Sequence, residues 1–486
     1  MSQNIGQLLT RRAYRDPGVE AIYEPASGRR LTFAQLNGRS NQVANALTDS
    51  GVAKGDRVGL LLMNGAEFVE TFFAVGKIGA VNVPLNWRLV PDELEFILSD
   101  AGATVVLFSE EFAEAAAELR SRGDATNITT WIPVGGTPAD GVVDYDDWLA
   151  SGDDVEPEAK GSGDDLVFIM YTSGTTGLPK GVMHSHDTVL WANLTIAATS
   201  DFRQGDVFLN SLPLFHVGAL SPVIGCIYGG VSLVMLRAFD PTLSWELIRD
   251  EKVTTTLMVP AMLQFMLAVR DEEKHDASSV RWCMSGAAPV PVTLIKAYES
   301  LGIEIQQVYG LTETCGPACL ITSADAFARA GSTGKAFYFT EVKVVREDGS
   351  DCDPGESGEV LVKGPHIMLG YWNRPDATAE TIVDGWLHTG DVATMDEDGF
   401  VTIVDRVKDM LISGGENVYP AEIENVLLSN DKIADAGVIG IPSEKWGESP
   451  LAVVVTSDES LTADEVMEYC KGKLAPFKTV KAVEFV

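Results

Sequence analysis

Residues 171–181 read YTSGTTGLPKG, a stretch that combines hydroxyls, glycines and one lysine. Each type has a use around an anion. Gly174 and Gly177 let backbone N–H groups approach closely, Thr172, Ser173, Thr175 and Thr176 can donate to phosphate oxygens, and Lys180 supplies a point charge. The spacing is not that of a Walker A loop, G-x-x-x-x-G-K-[ST], because Pro179 stands five positions after Gly174 and Gly181 follows Lys180. A flexible Gly/Ser/Thr linker would share the composition but has no use for Pro179-Lys180-Gly181. The stretch therefore predicts a phosphate-holding loop of another design.

Such a loop needs an element on each side. The apolar LVFIM before it and VLWANLTIAA after it predict a strand, the loop, then a helix. The same alternation recurs in RVGLLLM ahead of EFVETFFAVGKIG, then AVNVPL and TVVLF, and later VFLNSLPL, VSLVML, TTTLMV, VRWCMS and EIQQVYG. That rhythm predicts an α/β architecture with largely parallel sheets. From Glu341 the texture changes to short strands and turns, such as EVKVV, EVLVKG and DGFVTIVDR, which predict a smaller β-rich subdomain. A last break falls at Asp405. Beyond it YPAEIENVLLSN, ADAGVIGIP, LAVVVT and SLTADEVMEYCKGKLA predict a small α+β domain, with Thr462 and Glu465 spaced as a capping box. The chain of 486 residues is too long for one core, and the expected domains are residues 1–405 and 406–486.

Composition narrows the partners. With 36 Lys plus Arg against 70 Asp plus Glu, the net charge of -34 repels nucleic acid and anionic membrane surfaces at long range. An anionic substrate must then be held by local donors against that field. The same acidic surface also suits plain solubility or salt adaptation. The 6 cysteines are scattered; Cys315 and Cys319 form the only close pair, and no second pair stands near it, so no zinc site is predicted. The first residues lack the apolar segment of a signal peptide, which predicts a reducing, cytoplasmic setting. Residues 217–236 carry no charge and are long enough to span a bilayer. Gly229-Gly230 and Pro222 instead predict a buried helix, a turn and a strand there.

Further motifs follow the loop in order: LPLFHVGAL at 212–220, SGAAP at 285–289, YGLTET at 309–314, GESGEVLVKG at 355–364, GYW at 370–372, HTGD at 388–391, DRVKDMLISGGENVYPAEIE at 405–424 and KWGE at 445–448. Together with YTSGTTGLPKG this series resembles the adenylate-forming superfamily of acyl-CoA synthetases, luciferases and peptide-synthetase adenylation domains. Within it, SGGENVYPAEIE and KWGE are most similar to bacterial fatty-acyl-CoA synthetases. The resemblance spans nearly the whole chain. A carboxylate is a poor acylating agent because its leaving group would be oxide. The family therefore joins the acid to AMP, expelling pyrophosphate, and lets a thiol displace the AMP. ATP, Mg²⁺ and coenzyme A are implied, and the first step needs charge stabilised on the departing pyrophosphate.

By this resemblance Thr172, Ser173, Gly174, Thr175, Thr176, Gly177 and Lys180 would cradle the β and γ phosphates, Thr312 would touch the α phosphate, and Glu313 would help to hold Mg²⁺. Gly286, Ala287, Ala288, Tyr309 and Gly310 would form the adenine slot, where small side chains admit the purine. Asp391 would accept the ribose hydroxyls and Arg406 would reach the ribose or α phosphate. His216 would gate an acyl pocket walled by Val217, Gly218, Leu311 and Cys315. Lys180, Thr312, Glu313 and His216 are thus the expected catalytic set. Ser413, Gly414, Gly415 and Glu416 would line the passage for the pantetheine arm, with Lys478 toward the nucleotide of coenzyme A. Lys408 would be a hinge about which the C-terminal domain swings between half-reactions.

One departure stands out. Past a run such as PFKTVKAVEFV the family pattern continues into P-x-x-x-x-G-K, whose lysine bridges carboxylate and phosphate during adenylation; Lys473, Lys478 and Lys481 all precede that segment. For these 486 residues the expectation is impaired acyl-adenylate formation, with ATP binding and use of supplied acyl-AMP retained. No charged side chain in the acyl motifs offers a partner for an amino acid's ammonium group. The implied function is ATP-dependent activation of a medium- or long-chain fatty acid and its transfer to coenzyme A. A carrier-protein-loading ligase and a non-catalytic ATP-binding homologue are the alternatives. Partners are then small molecules, with no nucleic acid and no transmembrane segment, and a homodimer suits the family.

Overall fold

The computed structural model describes residues 4–136, 144–172, 178–288, 290–322, 325–326, 328–329, 331–406, 410–456, 458 and 460–486. Helix Ala66–Lys77 shows why the N-terminal body is layered. Its sequence AEFVETFFAVGK is apolar on nearly every side, so it must be covered all round, and every residue but Glu67 is buried. Helices Gly6–Arg15 and Phe33–Asp49 pack on it, and strand Val81–Pro84 lies beneath.

Two sheets carry the alternating pattern. One runs Gly370–Tyr371, Lys180–Ser185, Leu166–Thr172, Val81–Pro84, Arg57–Leu61, Ala103–Ser109, Thr130–Val134, parallel from the Leu166 strand onward. The other has at its centre the parallel strands Glu304–Tyr309, Trp282–Ser285, Thr255–Leu257, Val207–Asn210, Ser232–Met235 and Glu20–Glu24. Their Val/Ile/Leu-rich runs are what parallel strands covered on both faces require. The motifs follow directly on the carboxyl ends of these strands, Thr172, Tyr309, Ser285 and Asn210, where open α/β sheets place their ligands.

From Glu341 the sheet is antiparallel, as the change of texture predicts. Glu341–Val345, Ser357–Lys363 and Trp386–Met395 pair in turn, and Val401–Arg406 adds to the last. The next sheet begins at Leu411. It joins Leu411–Ser413, Glu416–Val418, Ile433–Ser443, Gly447–Thr456 and Ala482–Phe485, with helices Pro420–Leu428 and Ala463–Cys470 against it. Thr462 caps the second helix as its spacing predicts: its hydroxyl accepts from Glu465 N at 3.3 Å and Glu465 Oε2 accepts from Thr462 N at 2.9 Å.

Residues 217–236 form helix Val217–Gly229, a left-handed Gly230 at φ 73° and strand Ser232–Met235. No helix among the described residues is long and apolar enough to cross a membrane. The expectation of strand, loop, helix around the glycine-rich stretch needs correction. Leu166–Thr172 returns antiparallel as Lys180–Ser185, with Thr172 opposite Lys180 and Tyr171 opposite Gly181, and the helix starts only at His186. The cause is the inward-facing Val182 and His184 of KGVMHS, which give a strand rather than a helical face. A Cβ on Gly181 would lie 2.7 Å from Ile169 Cγ2, so glycine lets the two strands close up.

Candidate active site

A cavity of about 810 Å³ opens at these strand ends, between the body and the C-terminal domain. Thr172 and Lys180 stand at the root of the hairpin and line it. Ser173, Gly174, Thr175, Thr176 and Gly177 lie outside the described residues. Lys180 Nζ sits 5.1 Å from the Tyr371 ring centre, and the Tyr371 hydroxyl donates to Glu313 Oε1 at 2.8 Å. Burial, then the Glu313 charge, holds the Tyr371 phenol protonated well above its usual range. A cation, a phenol and a carboxylate therefore face one space, next to Thr312.

The turn that carries Thr312 and Glu313 is stapled by two histidines that the motifs did not point to. His184 Nε2 lies 2.7 Å from the Thr312 carbonyl and His366 Nδ1 lies 2.9 Å from the Thr314 carbonyl. Burial pushes both imidazoles down to about 4, so at neutral pH they are uncharged donors rather than bases. Each such buried bond contributes about 1 kcal/mol and fixes the turn. The alternation of KGVMHS could have shown His184 as inward-facing; nothing local marks His366.

Gly286 and Gly310, expected at an adenine slot, are small because backbone fills their side-chain space. A Cβ on Gly286 would lie 2.4 Å from Val308 O, and one on Gly310 would lie 1.5 Å from Gly316 O. Gly286, Ala287 and Gly310 line the cavity; Ala288, just past the turn, and Tyr309, whose hydroxyl turns to Asp391, are not on its wall. Ala287 holds a left-handed φ of 66°. The Tyr309 hydroxyl donates to Asp391 Oδ2 at 2.5 Å, which ties the YGLTET strand to the HTGD strand. Asp391 is 1% exposed and sits just behind the lining residues His388, Thr389 and Gly390. Strand pairing sets Arg406 directly across from Asp391, though the Arg406 side chain is outside the description. Glu359, unforeseen from the motifs, accepts from Gly390 N at 3.0 Å and lies 2.9 Å from His388 Nδ1, anchoring that bend.

On the opposite side His216, Val217, Gly218 and Leu311 line the wall. Asn64 holds their loop, donating to the Leu212 and Leu236 carbonyls and accepting from Leu214 N at 2.9 Å. Cys315 is not on the wall. Its thiol is fully buried in the apolar core, and burial pushes it up to about 12. What reaches the cavity at that point is Gly316, while Ser221 donates to the Cys315 carbonyl at 2.7 Å.

The C-terminal domain closes the cavity with a hairpin. Ser413 pairs with Glu416 across Gly414 (φ 61°) and Gly415 (φ 85°), the two left-handed residues of a tight turn that favours glycine. Gly414, Gly415 and Glu416 line the cavity, and Ser413 is the buried residue before the turn. Glu416 Oε1 lies 3.0 Å from His216 Nε2 and also accepts from Arg88. Burial alone would raise the Glu416 carboxyl; His216, Arg88 and Lys478 outweigh it and bring it to about 2. Arg88 in turn covers the Trp87 ring, 4.6 Å from its centre. Lys478 touches the cavity too, yet its ammonium is taken up by Glu93 and Glu422 in this pose. Lys408 lies outside the described residues.

No group of three or more metal-ligating side chains occurs among the described residues. Magnesium that arrives on phosphate oxygens needs only one or two protein carboxylates, and Glu313, beside Thr312 and Lys180, fits that use. The cavity can thus take a long, partly anionic ligand: donors and a cation at one end, an apolar wall at the other, a glycine turn between.

The AMP-binding enzyme family matches residues 9–372, and the AMP-binding enzyme C-terminal domain matches residues 422–486. A long-chain-fatty-acid–CoA ligase, FadD13 of Mycobacterium tuberculosis, is 44% identical over 484 residues, covering 99% of this chain and 94% of its own. A feruloyl-CoA synthase of an Amycolatopsis species is 39% identical over 486 residues, covering 100% and 95%. A solved structure of Bacillus subtilis o-succinylbenzoate CoA synthetase with a product analogue bound superposes with a TM-score of 0.89 at 33% identity, covering 99% and 94%.

Proposed function

The chain belongs to the adenylate-forming AMP-binding enzyme family and is an acid–thiol ligase working through an acyl-adenylate, and from that premise we propose that its acid is a medium- or long-chain fatty acid. ATP, Mg²⁺ and coenzyme A are its co-reactants. In the first step the carboxylate oxygen attacks the α phosphorus of ATP and pyrophosphate leaves with the electron pair of the broken P–O bond. In the second the coenzyme A sulfur attacks the acyl carbon, the thiol proton passes to solvent and AMP leaves.

We assign Lys180, Thr312 and Glu313 with its Mg²⁺ to the phosphates, Asp391 to the ribose hydroxyls, and the Gly414–Gly415 turn to the passage of the thiol arm. Residues 406–486 are proposed to move as a unit about Lys408, since the chain leaves one sheet at Arg406 and enters the next at Leu411.

The observation that carries the fatty-acid reading is the wall beyond His216. A Cβ on Gly218 would meet no protein atom within 4 Å, and the cavity runs on past Leu257, Met262, Phe265, Val308 and Phe337 without a charge among them. An extended alkyl chain suits that space. Phe202, Phe265 and Phe337 would equally flank an aryl ring, which the feruloyl-CoA synthase relative makes the second reading. A panel of preformed acyl-adenylates graded in chain length and ring content, read as CoA-dependent AMP release, separates the two. A maximum at twelve carbons or longer is the expected result (~tenfold over a phenylpropenoic acid). A maximum on ring acids replaces the proposal, and transfer to a carrier-protein thiol in preference to coenzyme A changes the acceptor.

A further inference from the structure

Lys478 is buried where a lysine is costly. Its side chain is 3% exposed, with Nζ 2.6 Å from Glu422 Oε1 and 2.7 Å from Glu93 Oε1. An ammonium out of water must be paired. Glu422, in the first turn of helix Pro420–Leu428, already supplies that partner from within the C-terminal domain. Glu93 comes from the other domain, in the first turn of helix Pro91–Ala101. The cluster therefore holds two carboxylates for one cation, and Glu422 Oε2 has no hydrogen-bond partner. Burial pushes the Glu422 carboxyl up despite Lys478, whereas the two carboxylates outweigh burial at Lys478 and raise its ammonium.

The position of Glu93 gives this pairing a use. It stands a few residues after Arg88, which grips Glu416 at the foot of the glycine turn, so one short segment of the body holds the C-terminal domain at two points. Both grips are ionic and both cross the domain boundary. When the domains part, Lys478 keeps Glu422 and loses only Glu93. The pair therefore adds stability to one pose of the domains rather than to either domain.

Resting on the reading of the Gly414–Gly415 turn as the thiol passage, we infer that Glu93 is a positioning residue for acyl transfer: its pairing with Lys478 latches the C-terminal domain in the pose that presents this turn to the cavity.

Glu93→Gln tests this without disturbing the helix. Glu93 Oε2 also accepts from Val90 N at 2.9 Å as part of a helix cap, and a glutamine at this position retains that role while losing the charge. Three measurements are made on the full chain: hydrogen exchange at residues 86–93 and 411–418 without ligands, ATP affinity, and acyl transfer from a supplied fatty-acyl-adenylate to coenzyme A. The expected result is faster exchange at both segments by about tenfold, ATP affinity unchanged within about twofold, and transfer slower by about tenfold. The double variant Glu93→Gln/Lys478→Met should be no slower than Lys478→Met alone, because the two residues act through one contact. Unchanged exchange and transfer in Glu93→Gln overturns the inference, and so does a parallel fall in ATP affinity, which marks general destabilisation. The exchange measurement uses no substrate, so the latch and the functional reading fail separately.

Discussion

The side of the cavity assigned to the nucleotide and the side assigned to the thiol are built from different interactions. On the nucleotide side the constraints are backbone contacts and hydrogen bonds within one domain: Gly286 against Val308, Gly310 against Gly316, Tyr309 to Asp391, His184 to the Thr312 carbonyl. On the thiol side they are polar contacts between domains: the ion pairs of Glu416 with Arg88 and of Lys478 with Glu93, and His216 at 3.0 Å from Glu416. Close packing holds one geometry and fails if it is forced. Ion pairs can part and re-form in water, at a cost repaid by hydration. A site that holds ATP steadily while a second domain moves as proposed has reason to use both.

Matched glycine substitutions offer the strongest way to break this comparison. Gly310→Ala puts a methyl group where the Gly316 carbonyl stands, and no side chain can move aside to relieve it. A loss on the order of 3 kcal/mol is expected, read as a lowered melting temperature and lost ATP binding. In the Gly414–Gly415 turn, Gly414→Ala costs about 1 kcal/mol for the left-handed backbone and meets the Trp446 ring edge at 2.9 Å. There ATP binding should survive while acyl transfer falls. Equal effects at the two glycines would abolish the distinction.

The next effect is electrostatic and has a definite sign. The Glu416 carboxyl goes from an ordinary 4.5 to about 2 in the folded, docked protein, so between those pH values the undocked or unfolded chain binds more protons. Its contribution, roughly 3 kcal/mol as an upper figure, is present in full above pH 4.5 and is lost as pH falls through 2. Exchange at residues 411–418 should accelerate over that window in the native protein, with a much flatter response in Glu416→Gln. Tyr309→Phe, on the nucleotide side, removes one hydrogen bond to the buried Asp391 carboxylate and should weaken ATP binding by about 1–2 kcal/mol with no dependence on pH between 5 and 8.

What could be read from the sequence follows the same division. The alternating runs announced both parallel sheets, and the motifs at their carboxyl ends marked the cavity, because periodicity and glycine placement are local properties of the chain. Thr462 and Glu465 disclosed a cap for the same reason. The hairpin at Lys180–Ser185 was hidden because its short strand is set by pairing with Leu166–Thr172, and VLWANLTIAA just beyond it has a stronger helical pattern. Cys315 lies next to a lining residue in sequence but turns into the core at a left-handed φ of 55°. Arg88, Glu93 and His366 lie outside every motif, and Glu359, though inside GESGEVLVKG, carried no role of its own, since each acts on a residue far away in the chain: Glu416, Lys478, Thr314 and Gly390.

The smallest expected effect on stability is also the one that sharpens the acyl side. Gly218 lies in the first turn of helix Val217–Gly229, and a Cβ there would meet no protein atom within 4 Å. Replacing glycine by alanine in a helix of permitted backbone restricts the unfolded chain, so Gly218→Ala should be neutral or stabilising by about 0.5 kcal/mol. The added methyl group nevertheless enters the cavity beside His216, in space that no other side chain fills. Supplied acyl-adenylates whose acyl group fills this part of the wall should lose roughly tenfold in kcat/KM for transfer to coenzyme A, near the cost of displacing one or two methylenes, while ATP affinity and melting temperature stay put. Because that glycine is constrained neither by backbone contact nor by charge, a loss of stability instead of selectivity would mean that the empty volume is not the acyl site.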